Sequence, residues 1–261
     1  NNAGKLVTTE DFRKAIEAAT GQPMDWFFDQ WVYRTGHPVF EVVKKYDKEN
    51  RQLKLTVNQL QKTDPESPYP QTEFFQGKVE VEMDGHIEQI WLDAQPQNTF
   101  VFDADTEPRF VNFDVESTWI KELIFEKTPE ELLQLLHYSH DVVARRAALF
   151  ELATWYTKES TSVEEKNTIE AALRSVISGN AYWRLRNSAL LTLQNLVAGQ
   201  PLDKVTETLL LDLIKTEKSW LRSAAITFLG TAQDPKYADL FIRYFDDESD
   251  RVVNAAANAL G

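Results

Sequence analysis

Cysteine is absent from the 261-residue chain, methionine occurs twice and glycine nine times. The first absence excludes disulfides, thiolate nucleophiles and Cys-based zinc sites. Glycine is too sparse for a phosphate-cradling loop, and no Gly-rich run occurs. No apolar stretch approaches the roughly 18 residues of a membrane helix. No basic-then-apolar segment of the secretory type opens the chain. These absences lead to the expectation of a soluble protein without membrane insertion. Cytoplasm and periplasm stay equally open as compartments, and so does the oligomeric state.

Basic residues are the minority charge, 28 against 41 acidic ones, for a formal net charge of −13. Such a chain repels phosphate backbones, and no basic stripe with interleaved aromatics is present, so no nucleic-acid partner is expected. The charge is uneven: residues 37–118 carry −8, against −1 for 1–36 and −4 for 119–261. The hydrophobic period changes at the same places.

Residues 1–36 have helical spacing. Thr8 and Asp11 have the form of a capping box, after which Phe12, Ile16 and Ala19 share a face. Gly21 and Pro23 interrupt, an aromatic helix is expected over Met24–Tyr33, and Gly36 and Pro38 stop it. Two short helices with this much aromatic surface cannot bury themselves. They read as the tail of something larger or as an element packed on the rest. Residues 37–118 switch to period two. Phe40-Glu41-Val42, Leu53 to Val57, Lys78 to Met83, His86 to Leu92, Phe100 to Phe102 and Phe110 to Phe113 read as strands. Leu60 breaks the alternation and suggests a bulge. Asp84-Gly85 predicts a hairpin, although a strict two-residue loop would set Met83 opposite His86 and Val81 opposite Glu88, mixing faces. Turn-rich stretches such as residues 64–70 argue for an antiparallel β-sandwich of six to eight strands.

Residues 119–261 are helical and repetitive. The pattern basic-x-x-Ala-apolar-x-x-Leu begins at Arg145, Arg186 and Arg222, with a degenerate copy at Val253; the starts differ by 41, 36 and 31 residues. Second helices are expected at Leu202–Ile214 and Tyr237–Phe245. Helix pairs at this spacing look like HEAT or HEAT-like repeats, with the small Ala letting paired helices approach closely. A polar capping repeat is not visible before Gly261, so the C-terminus is expected to lie inside a larger protein. The fold class is therefore multidomain α and β: a helical tail (1–36), a β-sandwich (37–118) and an α-α superhelix of HEAT-like repeats (119–261).

Catalytic chemistry is not visible. Histidine occurs four times, and His137 and His140 form H-x-x-H rather than the i, i+4 pair with an intervening Glu that a helical zinc site uses. A solvated loop or helix end is the reading adopted for that pair. His37 reads as a packed or capping side chain and His86 as exposed. The carboxylate clusters Glu130-Glu131, Glu164-Glu165 and Asp246-Asp247-Glu248 lie at helix ends, where the helix dipole and solvent accommodate them. Ser and Lys residues lack the context of known nucleophile motifs. For the run Trp26 to Tyr33, core or interdomain packing is preferred to a ligand box. For Arg145, Arg186 and Arg222, pairing with nearby acids such as Asp141 is preferred to a ligand-facing row. No catalytic, cofactor-binding or metal-ligating residue is assigned.

The run Leu6 to Arg13, then Trp26-Phe27-Phe28-Asp29-Gln30-Trp31 through Gly36-His37-Pro38-Val39-Phe40-Glu41-Val42, resembles the end of the catalytic domain in gluzincin zinc aminopeptidases, the aminopeptidase N family. The strand with Val57-Asn58-Gln59-Leu60-Gln61 also resembles that family's sandwich, and bacterial members with HEAT-like repeats are the nearest in order. The specific likeness is concentrated in residues 6–61. The resemblance implies a parent that holds zinc with H-E-x-x-H and a downstream Glu and binds the substrate amine with a G-x-M-E-N-type loop; none of these occurs in this sequence. It therefore implies the C-terminal part of such an enzyme, with no cofactor of its own and zinc in the parent. The implied partners are the parent's N-terminal catalytic domain and its peptide substrates, with residues 119–261 forming a lid or wall that limits access. The alternative is a catalytically inactive aminopeptidase-like scaffold, the architecture of a transcription-factor subunit that lacks the zinc site. A third reading is an adaptor whose HEAT-like face binds a protein partner.

Overall fold

Helix α1 (Thr9–Thr20) starts at the expected capping box: the Thr8 hydroxyl accepts the Asp11 N–H at 3.2 Å, and the Asp11 carboxylate accepts the Thr8 N–H at 2.9 Å. It ends at Gly21, whose φ of 69° turns the chain into the left-handed region. Helix α2 (Asp25–Trp31) is shorter than expected at both ends. Val32 and Tyr33 both donate to the Phe28 carbonyl at 3.0 Å, which closes the last turn before Gly36. Helix α1 buries none of its residues, and Phe12 stays 61% exposed while its ring meets Phe28 edge-on at 6.1 Å.

Among the described residues seven strands follow: β1 (Val39–Asp47), β2 (Gln52–Gln59), β3 (Gly77–Met83), β4 (His86–Leu92), β5 (Gln97–Asp103), β6 (Val111–Phe113) and β7 (Glu122–Ile124). They form two sheets, in the orders β5-β2-β1-β7 and β4-β3-β6. All pairings are antiparallel except β1 with β7. The inward residues alternate as the period-two pattern requires. Phe40, Leu55 and Val57 of one sheet and Val81, Leu92 and Phe113 of the other belong to one buried cluster. Each such side chain contributes about 1.5–3 kcal/mol on leaving water.

Two local expectations change. No bulge forms at Leu60; β2 ends at Gln59, and the exposed Leu60 donates its N–H to the Val39 carbonyl at 2.8 Å. The hairpin at Asp84-Gly85 does adopt the strict register, Met83 opposite His86 and Val81 opposite Glu88. Both loop residues have positive φ, 50° and 88°, as a two-residue turn of matching twist demands. The mixed faces arise because β3 is a central strand. Its end, Val81 to Met83, is buried with β6 on the far side, while the start of β4 runs exposed at the sheet edge.

The remaining helices form four pairs: α3 (Pro129–Tyr138) with α4 (Val142–Tyr156), α5 (Val163–Ser178) with α6 (Trp183–Leu196), α7 (Lys204–Thr216) with α8 (Ser219–Gly230), and α9 (Ala238–Arg243) with α10 (Asp250–Leu260). Thr128, Asp141, Ser162 and Asp203 cap α3, α4, α5 and α7 through side-chain oxygens. The expected helix over Tyr237–Phe245 is broken: a short α9 lies between single 3-10 turns at Pro235–Tyr237 and Tyr244–Asp246. The repeated alanines Ala148, Ala189, Ala225 and Ala256 are all 1% exposed or less. Close approach is tightest at Gly230, where an added Cβ would stand 2.7 Å from the Cβ of Ala259.

This computed structural model describes residues 4–261; the first three residues of the helical tail lie outside that description. The chain divides into two compact units, Asn1–Lys127 and Thr128–Gly261. The first holds α1, α2 and both sheets, including β7. The second holds the four helix pairs.

Candidate functional site

In the first unit the aromatic run divides between core and surface. Phe28 and Gln30 are buried, whereas Trp26 and Trp31 line an open groove of about 830 Å³ together with Trp91 and Trp119. The rings meet edge-on or tilted: Trp26 with Trp91 at 5.2 Å, Trp31 with Phe75 at 4.8 Å and Trp31 with Trp119 at 5.8 Å. Gly77 at the groove has φ 150°, and a Cβ there would come within 2.9 Å of the Trp119 ring. The groove can therefore bind apolar groups. Its polar lining, such as Thr20 and Lys78, offers no nucleophile paired with a base.

Three buried polar residues, none singled out by the sequence reading, hold this arrangement. Gln30 receives the Gln76 N–H at 3.0 Å and donates to the Gln76 carbonyl at 2.8 Å, clamping α2 to the segment before β3. Gln59 does the same for the neighbouring Phe75, at 2.9 and 2.7 Å. Asp114 accepts from the Thr118 hydroxyl at 2.7 Å, from the Trp119 N–H at 3.1 Å and from the buried ammonium of Lys121. Asp114, Glu116 and Ser117 all adopt positive φ, a strained run for residues other than glycine. That loop fixes Trp119, whose indole N–H reaches the Lys78 carbonyl at 2.8 Å.

The histidines fall into separate settings. His37 pairs with Glu122 at 2.9 Å, and exposed His86 lies 3.6 Å from Glu88. His137 ends α3, where burial first and then the Arg145 charge push its imidazole below the usual value. Exposed His140 follows in the linker to α4. Among the described residues no group of three or more His, Asp or Glu side chains is placed to hold a metal ion.

The repeat arginines have a use that spacing alone did not reveal. Arg145 and Arg186 each donate Nε, at 2.7 Å, to a carbonyl nine residues earlier, Leu136 and Ile177, closing the end of the preceding helix. Burial pushes the Arg145 guanidinium below its ordinary value. Arg186 then reaches Glu217 at 2.6 Å and Arg222 reaches Asp247 at 2.8 Å, acids one repeat further on rather than close in sequence. The link between α7 and α8 is short, so Arg222 uses Nη1 for the Glu217 carbonyl and its Nε stays buried without a partner. Asp141, the neighbour expected to pair with Arg145, caps α4 by accepting the Val143 N–H at 2.8 Å.

Comparison with known proteins gives three likenesses. A family model described as HEAT repeats matches residues 171–261, which reach from within α5 to the last helix. Transcription initiation factor TFIID subunit 2 of Schizosaccharomyces pombe is 28% identical over 74 residues, 28% of this chain and 6% of that protein. The crystal structure of Legionella pneumophila aminopeptidase A in complex with aspartic acid superimposes with a TM-score of 0.69 at 15% identity, over 97% of this chain and 35% of that one. The chain thus spans about a third of the solved relative and a small part of the curated one. At this identity the likeness is one of fold: short helices, a β-sandwich region and helical repeats, in the same order as in a stretch of an aminopeptidase.

Proposed function

We propose that this chain is the non-catalytic C-terminal part of a zinc metallo-aminopeptidase of the aminopeptidase N family, which removes N-terminal residues from peptides. In this reading it connects to the catalytic domain, covers the active site and limits substrate access. The observation that carries the reading is the extent of the structural likeness, 97% of the chain on an aminopeptidase. The motif likeness in residues 6–61 supports it. So does the apolar surface left open on α1 and in the tryptophan groove, which a neighbouring domain would cover. In this reading metal and general base belong to the preceding domain, and no residue here takes part in bond breaking. Asp114, Gln30 and Gln59 instead keep the groove in shape, and the repeats supply the wall.

The alternative, an inactive aminopeptidase-like scaffold whose repeats bind a protein partner, is favoured by the 74-residue match to the TFIID subunit. An H-E-x-x-H encoded upstream of residue 1 separates the two. The access role is tested on the whole protein by comparing turnover of dipeptides and long peptides with and without residues 128–261. Loss of length discrimination is expected; unchanged selectivity in a folded truncation would defeat the role.

A further inference from the structure

The second helices of the four pairs carry an unusual charge for a chain of net −13. Helices α4, α6, α8 and α10 hold six arginines, no lysine and two carboxylates, Glu151 and Asp250. Arg145, Arg186 and Arg222 are tied into the repeat framework. Arg146, Arg184 and Arg251 are exposed and, among the described residues, meet no carboxylate.

These three lie on one face of their helices. Starting from Val143, Arg184, Trp220 and Arg251, the positions i, i+3 and i+7 of each helix share a face. Neither Glu151 nor Asp250 falls on it. Arg146 occupies the i+3 position of α4, and the i+7 positions include exposed Phe150 and Leu191. The face is continuous across α6, α8 and α10: Leu191, Thr227, Arg251 and Asn258 line one shallow depression of about 520 Å³. The arginines are held against aromatic rings of the same surface. Arg251 lies 3.2 Å from the centre of the Trp220 ring, Arg184 5.3 Å from Trp183 and Arg146 4.9 Å from Phe150. Trp183 and Trp220 stack at 5.3 Å with 30° between their planes. Stacking pre-orders a guanidinium and leaves its N–H fork available for a carboxylate.

We propose that this face docks an acidic polypeptide segment, its carboxylates meeting Arg146, Arg184 and Arg251 and its apolar side chains resting on Phe150, Leu191 and Trp220. Charge complementarity selects this occupant. Apolar anchors between separated arginines suit a peptide, whereas the negative charge of the whole chain opposes a nucleic-acid backbone. The inference rests on the helical unit alone and stands whether or not the parent is a peptidase.

The test uses the 261-residue chain and fluorescence anisotropy with a labelled Glu-Glu-Leu repeat peptide, its Gln-Gln-Leu counterpart and an oligouridylate of equal length. The acidic peptide is expected to bind about tenfold more tightly than the neutral one at low salt, and to weaken as salt is raised. Replacing the three arginines together (R146Q, R184Q, R251Q) should remove that preference with the thermal midpoint unchanged. Removing equal charge from the other unit (K48Q, K54Q, K62Q) should leave it intact. Equal binding of both peptides, tighter binding of the oligouridylate, no effect of the arginine variant or an equal loss in the lysine variant would each overturn the proposal.

Discussion

In the helical unit one device recurs from repeat to repeat; in the sandwich unit the buried polar clamps gather at one place. Arg145 and Arg186 make the same 2.7 Å bond to a carbonyl nine residues back, and Arg186 and Arg222 both reach an acid one repeat on. Gln30 and Gln59 make one kind of clamp on two adjacent residues, Asp114 makes another, and each fixes backbone or side chains around the aromatic groove. Repetition spreads stability over many small contributions, while single buried clamps concentrate it. Loss of one member should therefore be felt differently in the two units.

The largest expected effect is at Asp114. Asp114→Ala leaves the buried Lys121 ammonium without its carboxylate, which costs about 3–5 kcal/mol. Urea unfolding followed by tryptophan fluorescence should show that loss in the transition of the sandwich unit. By contrast Ser162→Ala, which removes the capping box of α5, should cost about 1 kcal/mol. A repeat-unit cap as costly as the Asp114 clamp would erase the contrast between the units.

This contrast also decides what a sequence reader can see. Alanine windows and helix pairs repeat locally, so their period was legible, and buried Ala148, Ala189, Ala225 and Ala256 occupy the position the pattern gave them. The sandwich alternation and the Asp84-Gly85 hairpin were legible for the same reason. Gln30 acts 46 residues away and Gln59 acts 16 away, distances over which a single sequence carries no pattern. The turn at Asp114 uses positive φ without glycine, so its usual marker is missing. Strand β7 has three exposed residues and no alternation to betray it. The exposed arginine face required knowing which of two adjacent arginines, Arg145 or Arg146, points into the framework.

The smallest expected effect sharpens the picture of the repeats. Hydrogen bonds from Tyr237, then Lys204 and Lys236, hold the Glu207 carboxyl at about 2, below its ordinary 4.5. A lowered folded-state value means the carboxylate stabilises the fold above the ordinary value and that this stabilisation fades as pH falls from about 4.5 through about 2. Wild type should exceed Glu207→Gln in thermal midpoint at pH 6, with the gap closing across that window. A gap independent of pH would point to packing instead.

The proposed placement of a reactive centre outside these residues is tested most directly by metal content. Purified without chelator and supplied with zinc, the 261-residue chain is expected to hold no stoichiometric zinc and to release no product from aminoacyl anilides. One tightly bound zinc per chain, with hydrolysis that tracks it, would refute that placement.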